Sequence, residues 1–325
     1  MTERSRPNSC RHSRPSFPRT AWTTDARLPS RRAGPHVPGP RKAALVRERP
    51  PCSSRALRAR VRATYLYPVK ACAPLAVTSL GFTASGNIQG DREWVVVDAD
   101  DRITWSGAIP TLWQLKPIGT RERMAIASAA GDSVPLPAPA EGAPRIVYLW
   151  NASRQAFDSV PGQDAGDTAA EFASAIAGQK VRLVHLSTGA HRPNAVHVVT
   201  DASLQVLAAK FGANTDLLRF RPNLVLADDR DPLPPFAEEH AATLMCRGAN
   251  HRLDLMVTGP CERCIVVNVD PGSSAVDGRY LKGVVEQSRA RRTAAAPIFG
   301  VYARARTAGV VAIGDEVEIL AQATN

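Results

Sequence analysis

Residues 309–320 read GVVAIGDEVEIL. In the second half, Val317 and Ile319 alternate with Glu316 and Glu318, the period of two that marks a strand with one buried face and one wet face. Similar short segments recur upstream: PNLVLA (222–227), RLDLMVTG (252–259), CIVVNVD (264–270), KVRLVHLS (180–187), RIVYLW (145–150), RMAIAS (123–128) and TLWQLKPI (111–118). ATYLYPVKA (63–71) reads as a strand with Tyr65 and Tyr67 on one face and Leu66 on the other, ending at Pro68. REWVVVDADDRITW (92–105) reads as a hairpin turning at residues 98–101. The Pro-, Gly- and Ala-rich stretch 129–144 is expected to be a loop or linker.

Two helices are expected among these strands. One starts with Thr168 as N-cap and Glu171 three residues on, a capping box, and ends at Gly178. The other starts at Thr200, repeats Leu204, Leu207, Ala208 and Phe211 at helical spacing, and stops at Gly212. Many strands, short turns and no strict strand–helix alternation predict a mainly β, α+β chain built from barrels rather than a doubly wound sheet.

At 325 residues, 44% hydrophobic and 22% charged, the chain can bury a core and holds two ordinary domains. The formal charge of +11 first suggests nucleic acid. Residues 1–60, however, hold fifteen of the 41 Lys and Arg and three of the 30 Asp and Glu, so the body is close to neutral and nucleic-acid binding there is not expected. Residues 1–60 also hold nine of the 26 prolines and show no hydrophobic periodicity, which predicts disorder. They read as an over-called start, with the protein beginning near Val61, or as a functional tail. Their prolines argue against the amphipathic helix of a mitochondrial transit peptide. With no apolar leader and no run of eighteen apolar residues, the expected location is the cytoplasm, with free thiols and no membrane span.

The chemistry concentrates in GPCERCIVVNVDPG (259–272), with the spacing Cys261-x-x-Cys264. A zinc site lacks a second ligand pair, because Cys72 and Cys246 stand alone and His251 has no partner at finger spacing. A thioredoxin-like dithiol wants the pair at a helix N-terminus, whereas a β-type run follows here. A single thiolate serving as soft metal ligand, with Arg263 beside an anionic group, is the third reading. From spacing alone, two half-buried cysteines without a role remain the reading to beat.

Five motifs in order change that balance: YLYPVKAC (65–72), GDREWVVVDADDRIT (90–104), FRPNLVL (220–226), PCERCIVVNVDP (260–271) and FGVYARARTAGVVAIGDEVEIL (299–320). Over residues 62–320 the set resembles MOSC-domain proteins that carry the MOSC N-terminal β-barrel domain, a group that includes the mitochondrial amidoxime-reducing components and their bacterial homologues. The resemblance implies an N-terminal β-barrel-like domain over 61–180 and a MOSC β-barrel domain over 181–322, behind the tail of 1–60. It implies a molybdenum cofactor (Mo-molybdopterin) with Cys264 as the metal ligand, and reduction of amidoximes, hydroxylamines and N-hydroxylated bases. Electrons would come from a separate flavin, haem or iron–sulfur protein. Pyridoxal phosphate is not expected.

By the same resemblance Lys70, Arg92, Thr200, Arg221, Asn223, Arg263 and Tyr302 fall at cofactor-holding positions. Each has a plainer reading. Arg92 could pair with Asp91, Asn223 could be a turn residue after Pro222, and Tyr302 could be a core aromatic. Cys261 is read as a packing residue. Two departures stand out: Ala71 replaces a common Ser, and TWSGAIP (104–110) replaces a Thr-Gln-Arg type segment near the cofactor mouth. The alternative function is a non-catalytic carrier of the cofactor or of sulfur, with Cys264 as the carrying thiol.

Overall fold

The computed structural model describes residues 56–321 apart from 152, 191–195, 213–215 and 292–295. Most of the Arg/Pro-rich tail of 1–60, with Cys10 and Cys52, lies outside the described residues. In chain order the strands are β1 (Leu57–Leu66), β2 (Leu75–Val77), β3 (Ser79–Phe82), β4 (Trp94–Val97), β5 (Lys116–Gly119), β6 (Met124–Ala127), β7 (Ser133–Pro135), β8 (Ala143–Asn151), β9 (Ala156–Asp164), β10 (Arg182–His185), β11 (Val196–Thr200), β12 (Leu224–Asp228), β13 (Ala241–Arg247), β14 (Arg252–Glu262), β15 (Ile298–Ala305), β16 (Gly309–Ala312) and β17 (Glu316–Ala321). The described residues include three α-helices, α1 (Asp167–Ala177), α2 (Asp201–Phe211) and α3 (Arg279–Arg291). None is long and apolar enough to cross a membrane.

Seven strands close a barrel in the order β12-β11-β15-β14-β13-β17-β1 and back to β12. Closure removes the open edges that would otherwise invite pairing with another chain. Alternation along each strand fills the barrel with Val61, Val198, Leu224, Leu244, Leu255 and Val317, all within 2% of full burial. Each such side chain contributes about 1.5–3 kcal/mol of hydrophobic stabilisation. Val317 and Ile319 point in while Glu316 faces water, as their alternation predicts. The β11–β12 pairing is parallel, and α2 supplies the crossover it requires.

β1 precedes the other barrel strands by more than a hundred residues, yet it lies between β12 and β17. Leu57–Arg60, which the sequence reading leaves in the tail, form its first half, and Ala59 is fully buried. In the other direction, β10 joins β4, β9 and β8 in a four-stranded sheet. A second core lies beneath this part, where Ala169 and Ala173 of α1 meet Leu112, Leu115, Ile126 and Leu183.

Several local expectations need correction. CIVVNVD is not a strand: β14 ends at Glu262, and Ile265–Asn268 form a 3-10 turn with Cys264 at its N-cap. The Arg263 amide donates to the Pro297 carbonyl at 2.7 Å, which directs the chain off the β14 line. In TLWQLKPI, Pro110–Gln114 form a 3-10 helix, with proline fixing the first turn, and the strand begins only at Lys116. The capping box at Thr168 does not form, because α1 starts two residues earlier with Gly166 at its N-cap, at a φ of 89°. The 129–144 stretch holds β7 and a short 3-10 turn. The hairpin over 92–105 keeps its turn, but its return arm is a single bridge, Val97 to Ile103. The ladder of β4 goes to β10 instead.

Candidate functional site

Pro68 stops β1 and turns the chain through Val69 to Cys72. The Lys70 amide donates to the Trp94 carbonyl at 2.8 Å, and Ala71 sits in the left-handed region at a φ of 73°. Arg92 (φ 54°) and Arg221 (φ 51°) are left-handed too. Such backbones persist in non-glycine residues only where neighbours fix them, and they concentrate at functional sites.

Asp91, 1% exposed, ties two of these turns together. Its Oδ1 accepts from the Tyr67 amide at 2.8 Å and from Asn223 Nδ2 at 3.3 Å, and its Oδ2 pairs with Arg92. The Arg92–Asp91 pairing raised from sequence is therefore real. Asn223 is not a loose turn residue: its Oδ1 accepts from the His197 amide at 3.2 Å, and its Nδ2 also donates to the Tyr65 carbonyl at 3.1 Å.

Arg221 lies between the rings of Tyr67 and Trp113, with its guanidinium carbon 4.2 and 4.7 Å from their centroids. Its Nη1 donates to the Cys72 carbonyl at 2.8 Å, while Nη2 is buried and has no partner. Burial, with Arg92 nearby adding repulsion, pulls Arg221 down to about 10. A buried guanidinium with an unspent N–H pair beside a second arginine fits an anion, since burying an unsatisfied donor is costly otherwise.

His197 connects this group to the cysteine loop. Its Nδ1 lies 3.1 Å from the Arg221 carbonyl and its Nε2 3.2 Å from the Phe299 carbonyl. A side chain at Gly300 would come within 2.6 Å of that Nε2, which accounts for the glycine in FGVY. Tyr302 faces His197 across β11 and β15, with ring centroids 6.2 Å apart. Arg263 extends from the cysteine loop to donate to the Phe220 carbonyl through Nη2 (2.6 Å) and to the Cys261 sulfur through Nη1 (2.7 Å). Its Nε is buried and unpartnered. Burial opposes the Arg263 charge, but the Cys261 sulfur, Tyr302 and Cys264 together outweigh it and raise its pKa.

The two cysteines of the pair differ sharply. Cys261 is fully buried, whereas Cys264 is exposed. Both are free thiols, as are Cys72 and Cys246, which burial pushes up to about 12. Among the described residues no three His, Cys, Asp or Glu side chains converge to hold a metal. Beyond Cys264, Ile265 is exposed and lies against Gly107, where an added Cβ would come within 3.1 Å of it and 3.3 Å of Trp105. The divergent segment 104–110 thus borders the cysteine loop. Gln114 fastens it further, donating to the Gly272 carbonyl at 3.0 Å and to Ser274 Oγ at 2.9 Å.

The structure gathers Arg92, Arg221, Asn223, Arg263 and Tyr302 around His197 and Asp91, with Lys70 on the adjoining turn and Cys264 next to Arg263. Thr200 is not among them. It caps α2 at the far end of β11 from Val196, and its Oγ1 donates to the buried Glu238 at 2.9 Å and meets Ser203 Oγ at 2.7 Å. Sequence reasoning missed His197, Tyr67 and Trp113. His197 could have been suspected from its place in the apolar run VHVVT (196–200).

Comparison with known proteins finds matches along both parts of the chain. Residues 58–180 match the MOSC N-terminal beta barrel domain, and residues 184–318 match the MOSC domain. The chain is 24% identical over 284 residues to human mitochondrial amidoxime reducing component 2, covering 78% of this chain and 81% of that protein. It is 24% identical over 288 residues to mitochondrial amidoxime-reducing component 1 of Mus musculus, covering 79% and 81%. Molybdenum cofactor sulfurase of Anopheles gambiae is also 24% identical, over 268 residues, covering 73% of this chain but 33% of that longer protein.

Proposed function

This chain is a MOSC-domain protein with the MOSC N-terminal β-barrel domain ahead of it, and from that premise we propose that it binds a molybdenum cofactor and reduces N-hydroxylated compounds with electrons from a separate redox protein. The observation that carries the reading is the exposed Cys264 thiol beside a group of arginines in which Arg221 Nη2 and Arg263 Nε are buried and unspent. A phosphorylated pterin offers acceptors to such donors, and a soft metal accepts a thiolate. When bound, the cofactor would supply the two-electron chemistry.

The protein's own residues then have distinct tasks. Arg221, Arg92 and Lys70 provide cationic groups for the anionic end of the cofactor. Asn223 and Asp91 fix the turns that hold these groups, and Tyr67 and Trp113 keep water from the flat faces of Arg221. Cys264 offers the metal a thiolate from a turn held by the Arg263 amide. The hydroxyl of Thr200 is committed to Glu238 and receives no cofactor role. The four cysteines among the described residues are free, which suits a reducing compartment such as the cytoplasm.

The test is metal and pterin analysis of the purified chain. Stoichiometric molybdenum is expected, lost in Cys264→Ala. Arg221→Met should lower cofactor retention by at least about tenfold, the worth of one charge-assisted hydrogen bond. Turnover of an amidoxime with an artificial electron donor should follow molybdenum content. A metal-free protein carrying cyanide-labile sulfur on Cys264 would overturn the reductase reading in favour of a sulfur carrier.

A further inference from the structure

Cys261 lies inside the arginine group, and the cofactor reading gives it no task. β14 pairs Pro260 with Val301 and Glu262 with Ile298, so the single residue Cys261 stands opposite two residues of β15, Phe299 and Gly300, and the bulge lies on β15. Opposite that bulge the Cys261 sulfur is fully buried, 2.7 Å from Arg263 Nη1. The same Nη1 lies 3.5 Å from His197 Nε2, while Nη2 is held by the Phe220 carbonyl. The titratable groups facing the sulfur are Arg263 from its own loop, His197 from β11 and Tyr302 from β15. Glu262, the neighbouring carboxylate, is exposed to solvent.

A neutral thiol is a weak acceptor, and a buried guanidinium needs a counter-charge. We infer that Cys261 is a positioning residue: as a buried thiolate it is the counter-ion that fixes Arg263, and through Arg263 it sets the path of the chain into Cys264. Its consequence for the metal rests on the cofactor reading, but its chemistry does not. Burial opposes ionisation of the sulfur, yet the charges of Arg263 and His197 outweigh it and bring the thiol down to about 6. The anion is therefore present at neutral pH and lost as the pH falls through that value. Cys261 is thus more than the packing residue its sequence suggests.

Two measurements test this separately. The first uses the full chain carrying Cys264→Ala and no metal, and follows thiolate absorbance in the far ultraviolet against pH. One sulfur ionised at neutral pH, with a midpoint of about 6, is expected. That signal should vanish on adding Cys261→Ser, and Arg263→Met should move its midpoint up by about one pH unit or more. If every thiol titrates in the ordinary range whether or not Cys261 is present, the inference is wrong. The second measurement keeps Cys264. Cys261→Ser should release molybdenum or shift its electron paramagnetic resonance signal, and Cys261→Asp, which restores an anion, should recover part of the loss. Full metal and an unchanged spectrum in Cys261→Ser would overturn the positioning role. A wild-type chain without molybdenum would instead count against the cofactor reading and leave the thiolate titration to decide on Cys261.

Discussion

Ala71, Arg92 and Arg221 hold left-handed backbones at three turns that meet around one site. For an L-residue this conformation costs roughly 1–2 kcal/mol, so the fold maintains it against a local preference. Lys70 lies in the first turn, Arg92 in the second, and Arg221 closes a 3-10 helix in the third. Ala71 offers a direct probe, because its own side chain is a single methyl. Ala71→Gly relieves the strain but gives back some chain entropy in the unfolded state, so a net gain of about 0.5–1 kcal/mol is expected. The denaturant midpoint measures it. A loss of stability would mean that the Ala71 methyl contributes more by packing than its backbone costs.

At the scale of single elements, α2 starts at the N-cap that the sequence marks, and the structure commits the hydroxyl of that residue to a buried carboxylate. Thr200 is the N-cap that the sequence predicts, accepting from the Ser203 amide, and Glu238 takes up its hydroxyl from the other side. Thr200→Val should therefore cost about 1–2 kcal/mol in unfolding free energy, whereas Thr200→Ser should cost less than about 0.5. Neither change should release molybdenum. Thr200→Ser losing the metal while keeping its stability would return this residue to the cofactor site.

The same contrast marks what the sequence made legible. Strands whose one face meets a core, such as β17, show their alternation. Ile265-Val266-Val267 has β-forming side chains too, but a tertiary contact at the Arg263 amide turns it, and no local propensity announces that. β9 escaped notice because Pro161 and Gly162 interrupt it, and α3 because it is mostly polar. The cations of the site were readable from ordered motifs. Asp91 and His197, which hold those cations in place, were not: a lone acid or histidine in a chain carries no periodic signal.

At the scale of the whole molecule, the domain matches and the sheets divide the chain differently. The MOSC domain match begins at residue 184, yet the barrel takes β1 from residues 57–66, and β10 at 182–185 belongs to the four-stranded sheet. A fragment covering 184–325 would leave β12 and β17 without the strand between them. Such edges pair promiscuously. The fragment is expected to be aggregated or largely unfolded by circular dichroism and gel filtration, and a fragment starting at residue 56 to be monodisperse. A well-folded 184–325 fragment would show that β1 is dispensable for closure.

Synthesis from the N-terminus gives this arrangement a temporal side. β1 leaves the ribosome before every other barrel strand, while β17, one of its two barrel neighbours, is made some 250 residues later. Domains usually form as units while the chain is still growing. Here the barrel cannot shut until translation has passed residue 321, and the first part of β1, beyond the three residues that β2 pairs, must wait through most of that interval with its amides bare. Long-range pairing of this kind makes folding slow, so the demand on chaperones should fall on the earliest segment made, and codon changes that slow the ribosome between β2 and β16 should lower soluble yield without altering one amino acid.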